Sequence, residues 1–134
     1  MKRIFIDTSF IQAIANKNDQ FHEQAVRLKD VVQKANELWI HEGILIEVAD
    51  ALSRLNRIHA ISFYHSCQKD PRFKIEPLSS ELIKQSFSIY AKYSDKTWGL
   101  TDCISFCVMR KYGIQNALTA DQHFEQRGFT ALLL

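Results

Sequence analysis

Hydrophobic positions along the chain alternate between short runs that suit strands and longer stripes that suit helices. Arg3 to Ile6 (RIFI) is a β-branched and aromatic run, and Asp7-Thr8-Ser9 directly after it are residues that cap a following helix. From Gln20 to Ala35, the positions Phe21, Ala25, Leu28, Val31, Val32 and Ala35 share one helical face, with Glu, Lys and Arg opposite. Glu37 to His41 (ELWIH) predicts a second strand. Gly43 to Leu55 predicts a helix with Leu45, Val48, Ala49, Leu52 and Leu55 on its core side, and a further helix spans roughly Arg57 to Gln68. Phe73 to Glu76 (FKIE) is an edge-like strand stopped by Pro77.

In the second half, Ser79 to Tyr93 carries Leu82, Ile83, Phe87 and Tyr90 as a helical stripe. Leu100 to Tyr112 is apolar nearly all round until Arg110 and Lys111, the mark of a central buried helix, and Gly113 is its natural stop. Asn116 to Thr119 (NALT) and Phe129 to Leu133 (FTALL) finish as strands. Strands separated by helices predict an α/β fold: a central, mainly parallel five-stranded sheet flanked by helices on both faces. Ligands of such sheets gather beyond the carboxyl ends of the strands, near the switch in strand order.

Composition narrows this picture. The chain has 134 residues, which fits one domain over 1–134. A net charge of +2 sets up no global field that would announce a nucleic-acid or membrane partner. No apolar run approaches the ~20 residues of a membrane span, and the run after Met-Lys-Arg is too short for a signal-peptide core. Cys67, Cys103 and Cys107 are odd in number and form no C-x-x-C, so they predict core packing and a cytosolic location rather than disulfides or a zinc ribbon.

The chemistry lies in four acids. Asp7 follows the first strand, Asp121 comes two residues after NALT, Asp102 opens the buried helix, and Glu47 sits one turn into the helix after ELWIH. Each has an ordinary alternative as a helix cap or turn residue. Jointly, their positions predict convergence at one end of the sheet, where uncompensated carboxylates repel and a divalent cation removes the penalty. A hard all-oxygen set suits Mg²⁺ or Mn²⁺ rather than zinc. His41-Glu42 begins an H-E-x-x-H pattern, but Leu45 occupies the second His position. Phosphate-loop, dinucleotide and G-x-S-x-G motifs are missing. His123 reads as a surface or packing residue, with a hydrogen bond to the acids as the alternative.

The stretches IDTSFI, ILIEVADAL, SDKTWGLTDCISFCVM and ALTADQHFEQRGF, which carry Asp7, Glu47, Asp102 and Asp121, resemble those of PIN-domain ribonucleases. The small single-domain members are VapC-like toxins of type II toxin–antitoxin pairs. The resemblance implies a cytoplasmic, metal-dependent endoribonuclease with Asp7, Glu47, Asp102 and Asp121 as catalytic metal ligands. It also implies an RNA substrate, a small antitoxin partner and a homodimer. Thr8, Asp95 and Thr119 lie in matching segments and are expected to support the ligands. Lys69, Arg72, Lys74, Lys92, Lys96, Arg110 and Lys111 form the pool of cations for substrate phosphates. An RNA-processing or RNA-binding protein of the same fold without a toxin role is the alternative. A phosphoacceptor receiver module fits poorly, because Thr119 leads to Ala120-Asp121 without the Lys it needs.

Overall fold

The structure, a computed structural model, describes residues 2–134. Five strands, β1 (Arg3–Ile6), β2 (Glu37–His41), β3 (Phe73–Glu76), β4 (Asn116–Leu118) and β5 (Thr130–Ala131), form one sheet in the order β3-β2-β1-β4-β5. All four pairings are parallel. In the central strand Ile4, Phe5 and Ile6 are all buried, as expected where both faces of a parallel sheet are covered. The expected α/β architecture is thus observed, with the sheet parallel throughout.

The helices are α1 (Thr8–Ala15), α2 (His22–Arg27), α3 (Lys29–Lys34), α4 (Glu42–Leu52), α5 (Arg57–Lys69), α6 (Ser80–Lys92), α7 (Leu100–Lys111) and α8 (Gln122–Gln126). α1 packs on α4 and α4 on α5, while α6 packs on α7 and α7 on α8. Right-handed crossovers send these two groups to opposite faces of the sheet. α7 is the buried helix, its Cys103, Ile104, Ser105, Phe106, Val108 and Met109 all in the core. Phe106 lies 5.1 Å from both Trp98 and Phe124, edge-on to each, so one aromatic cluster fastens α7 and α8 together.

Four sequence expectations shift. The single helix over 20–35 is two helices: at Leu28 (ψ −2°) the amide is shared between Gln24 O and Ala25 O, a tightened turn that bends the axis. Its apolar face survives the bend, with Ala25 buried and Val31 and Val32 packed against the core. The helix expected to Leu55 ends at Leu52. The final strand shortens to Thr130–Ala131, although Leu132 and Leu133 still donate to Ala117 O and Thr119 O. Helix α8 was not foreseen; its signal is Asp121 as cap at one end and Gly128 (φ +101°) as stop at the other.

The strand order reverses between β1 and β4: from β1 the chain moves one way to β2 and β3, then returns to add β4 and β5 on the other side. A crevice therefore opens at the carboxyl ends of β1 and β4.

Candidate active site

The crevice is a cleft of about 390 Å³ lined by Asp7, Thr8, Ser9, Gln12, Glu47, Ala51, Gly99 to Asp102, and Asp121. Each acid reaches it from a different element. Asp7 is the turn residue between β1 and α1, and its amide continues the sheet by donating to Leu118 O (3.1 Å). Glu47 comes from α4, Asp102 from the first turn of α7, and Asp121 from the cap of α8. All four acids line this one cleft.

Hydroxyls and amides hold the carboxylates. Thr119 Oγ1 donates to Asp7 Oδ2 at 2.7 Å, and Ser9 Oγ donates to the same oxygen at 3.1 Å. Ser9 Oγ also accepts from the Ala120 amide (3.0 Å), and Thr119 Oγ1 accepts from the Asp121 amide (3.1 Å), so the β4–α8 turn is fastened to Asp7. Thr8 Oγ1 donates to Glu47 Oε1 at 2.6 Å, joining α1 to α4 across the cleft. The Gly99 amide donates to Asp102 Oδ2 (3.2 Å) and the His123 amide to Asp121 Oδ1 (2.8 Å). Capping and clustering coexist in these two acids.

Thr8 and Thr119 each hydrogen-bond an acid, Glu47 and Asp7 respectively. Asp95 does not: it lies outside the cleft and pairs with Lys96 at 3.3 Å, its side chain 70% exposed. It belongs to the loop between α6 and α7, which runs over the surface and turns inward only at the buried Trp98. His123 is drawn in rather than left on the surface. Its Nδ1 is 2.9 Å from Asp102 Oδ2 and 3.2 Å from Asp121 Oδ1. Ser9 was missed too, because a Ser after Asp-Thr at a strand end reads as an ordinary capping residue.

None of the cations in the expected pool lines the cleft. Arg72 Nη1 instead donates to Val32 O, Gln33 O and Ala35 O at 2.8–3.1 Å and ties down the end of α3. Lys111 pairs with Glu76 at 3.2 Å.

Burial first, and the neighbouring charges of Asp102 and Glu47 after it, push Asp7 up to about 6, against the lowering pull of Thr119 and Ser9. Asp102 is also raised, chiefly by burial and then by Asp121, while His123 and the Gly99 amide oppose the shift. The cleft thus concentrates negative charge that its own hydrogen bonds do not neutralise. Oxygen donors converging from four segments under such strain fit a divalent cation. The tightest grouping is Asp102, Asp121 and His123, whose ligand atoms lie within 4.8 Å of one another.

Known proteins match both the sequence and the fold. The PIN domain family model matches residues 4–130. The chain is similar to the 23S rRNA-specific endonuclease VapC20 of Mycobacterium tuberculosis, in both the CDC 1551 / Oshkosh and the ATCC 25618 / H37Rv strains. In each it is 31% identical over 126 residues, covering 94% of this chain and 95% of the relative. A crystal structure of Mycobacterium tuberculosis VapC20, described as a sarcin–ricin loop cleaving toxin, superposes with a TM-score of 0.83 at 29% identity, over 95% of this chain and 96% of that one.

Proposed function

The chain belongs to the PIN-domain family, and from that premise we propose that it is a Mg²⁺- or Mn²⁺-dependent endoribonuclease, the toxin of a type II toxin–antitoxin pair. The observation that carries this reading is the meeting of Asp7, Glu47, Asp102 and Asp121 in one cleft at the reversal of strand order. A divalent cation, when bound, supplies the positive charge that water activation and the scissile phosphate both require.

The chain's own residues supply position. Asp7, Glu47, Asp102 and Asp121 would hold the ion, each reaching the cleft from a different element. Thr119 and Ser9 both donate to one oxygen of Asp7, Oδ2, which restrains the carboxylate's rotamer. Thr8 does the same for Glu47. The preorganised acids need no rearrangement at the moment of reaction. A carboxylate of the set would take the proton of the attacking water as the water oxygen bonds to phosphorus and the P–O bond to the leaving ribose oxygen breaks, that oxygen taking a proton from solvent; no Ser or Cys nucleophile is required.

RNA is the substrate class, and the sarcin–ricin loop named for VapC20 is the first RNA to test. A cytoplasmic location and a small antitoxin partner go with this reading. Among the described residues no helix is long and apolar enough to cross a membrane. Leu55, Ile58 and Ile61, 50–78% exposed around the α4–α5 connection, give a homodimer or the antitoxin an apolar surface to cover. The deciding experiment incubates purified protein with ribosomal RNA fragments and tRNA in Mn²⁺, in Mg²⁺ and in EDTA. Cleavage that needs the cation and vanishes in Asp102→Asn is expected; equal cleavage by wild type and variant overturns the reading.

A further inference from the structure

His123 lies outside the acidic quartet, yet its ring touches both of the acids that open α7 and α8. The Nδ1 atom sits 2.9 Å from Asp102 Oδ2 and 3.2 Å from Asp121 Oδ1, and all three side chains are one-third exposed or less. Adjacent ligands of an octahedral ion at ~2.1 Å are separated by roughly 3 Å, the spacing these atoms already have. The other ring nitrogen is engaged: Nε2 is 3.1 Å from Thr97 Oγ1. A ligating histidine characteristically gives its second N–H to an oxygen, which fixes the tautomer and turns the free lone pair to the ion. Without an ion the Nδ1–H donates to Asp102 Oδ2, since a carboxylate only accepts; with an ion, Thr97 Oγ1 is placed to accept the ring's proton at Nε2, which leaves the Nδ1 lone pair for the ion.

We propose that His123 is itself a ligand of the cleft's cation, through Nδ1, and that this nitrogen makes the site select Mn²⁺ over Mg²⁺. The inference rests on reading the cleft as a divalent-ion site. Its chemistry is distinct: Mg²⁺ is a hard ion that keeps to oxygen and water, whereas transition ions accept imidazole. Carboxylates alone would serve both ions. One imidazole among them tilts the balance, and it does so where the geometry would otherwise show only a hydrogen bond.

His123→Asn separates ligation from hydrogen bonding, because its amide oxygen can stand where Nδ1 stands and makes the ligating atom oxygen rather than nitrogen. Mn²⁺ and Mg²⁺ affinities are measured calorimetrically on the full chain without RNA. Mn²⁺-loaded protein is then examined by electron spin-echo envelope modulation, which detects a directly coordinated ¹⁴N. Wild type is expected to show imidazole nitrogen coupling that disappears in His123→Asn. The ratio of Mn²⁺ to Mg²⁺ affinity should fall by about tenfold in that variant. Mn²⁺ binding that depends on Asp102 but shows no nitrogen coupling overturns the proposal and leaves the metal site standing. Mn²⁺ binding that is absent, or indifferent to Asp102→Asn, overturns the metal site and this inference together.

Discussion

Strands β1 and β2 run side by side, and each gives way to a helix at a buried ionisable residue: Asp7 before α1, His41 before α4. The fold treats the two in opposite ways. Asp7 faces other carboxylates, takes two hydroxyl hydrogen bonds and borders open space. His41 faces no ion-pair partner, sits 3.0 Å from Ser105 Oγ through Nε2, and leaves Nδ1 without a partner. Burial pushes His41 down to about 4, so it is a neutral core group. A buried charge kept at a cost marks chemistry, and a buried imidazole kept neutral marks packing.

Activity should divide the pair most sharply. Asp7→Asn is expected to lower RNA cleavage by about 10³-fold or more, since an ion ligand is lost where the transition-state charge develops. His41→Gln, assayed at a temperature where it is folded, should stay within about threefold of wild type. A His41 variant as inactive as Asp7→Asn, with its fold intact by circular dichroism, would break the distinction.

The pH dependence of stability comes next, and the two residues carry opposite signs. Asp7 holds its proton more tightly when folded, from an ordinary 3.8 to about 6, so its contribution is full below pH 3.8 and is lost as pH rises to 6. His41 holds its proton less tightly, from 6.5 to about 4, so its contribution is full above pH 6.5 and is lost as pH falls to 4. Each is worth roughly 3 kcal/mol across its window. Without metal, the gap between Asp7→Asn and wild type should shift in the variant's favour between pH 4 and 6. The gap for His41→Gln should shift in the variant's favour as pH falls from 6.5 to 4. Urea titrations across that range read both; parallel curves would contradict both assignments.

Added Mn²⁺ provides a third separation. At a hundred times the dissociation constant it should stabilise wild type and His41→Gln by about 2.7 kcal/mol, and Asp7→Asn or Asp102→Asn by far less. Melting curves with and without the ion decide this.

Much of this contrast was legible in the sequence. The strand run RIFI, the acid that follows it and the apolar stretch around Glu47 located the cleft, because hydrophobic periodicity and parallel topology dictate which chain ends meet. What escaped depends on side-chain direction. Ser9 turns back to Asp7 while Thr8 turns away to Glu47, and adjacent hydroxyls in a turn do not announce which does which. His123 reaches Asp102 and Asp121 because α8 is a helix, and a five-residue helix leaves too little periodicity to be read. Asp95 went astray for the opposite reason: it matched a motif's position while the loop carried it out to solvent.

The smallest effect tests how tightly the His41 end is built. A Cβ added at Gly43 would meet His41 Cε1 at 2.8 Å and Nδ1 at 2.9 Å. The ring cannot swing away freely, because it is fully buried and Nε2 is tied to Ser105. Gly43→Ala gains up to ~1 kcal/mol in helix propensity and should lose about 1–3 kcal/mol to overpacking. The net expectation is a loss of about 1 kcal/mol with cleavage unchanged, since the displaced ring faces the core and not the acids. Ser105→Ala, which frees the ring by removing its hydroxyl partner, should shrink the cost of Gly43→Ala. Denaturation of the two single variants and the double variant measures that coupling, and strictly additive losses would show that the contact with His41 is not what makes glycine necessary at position 43.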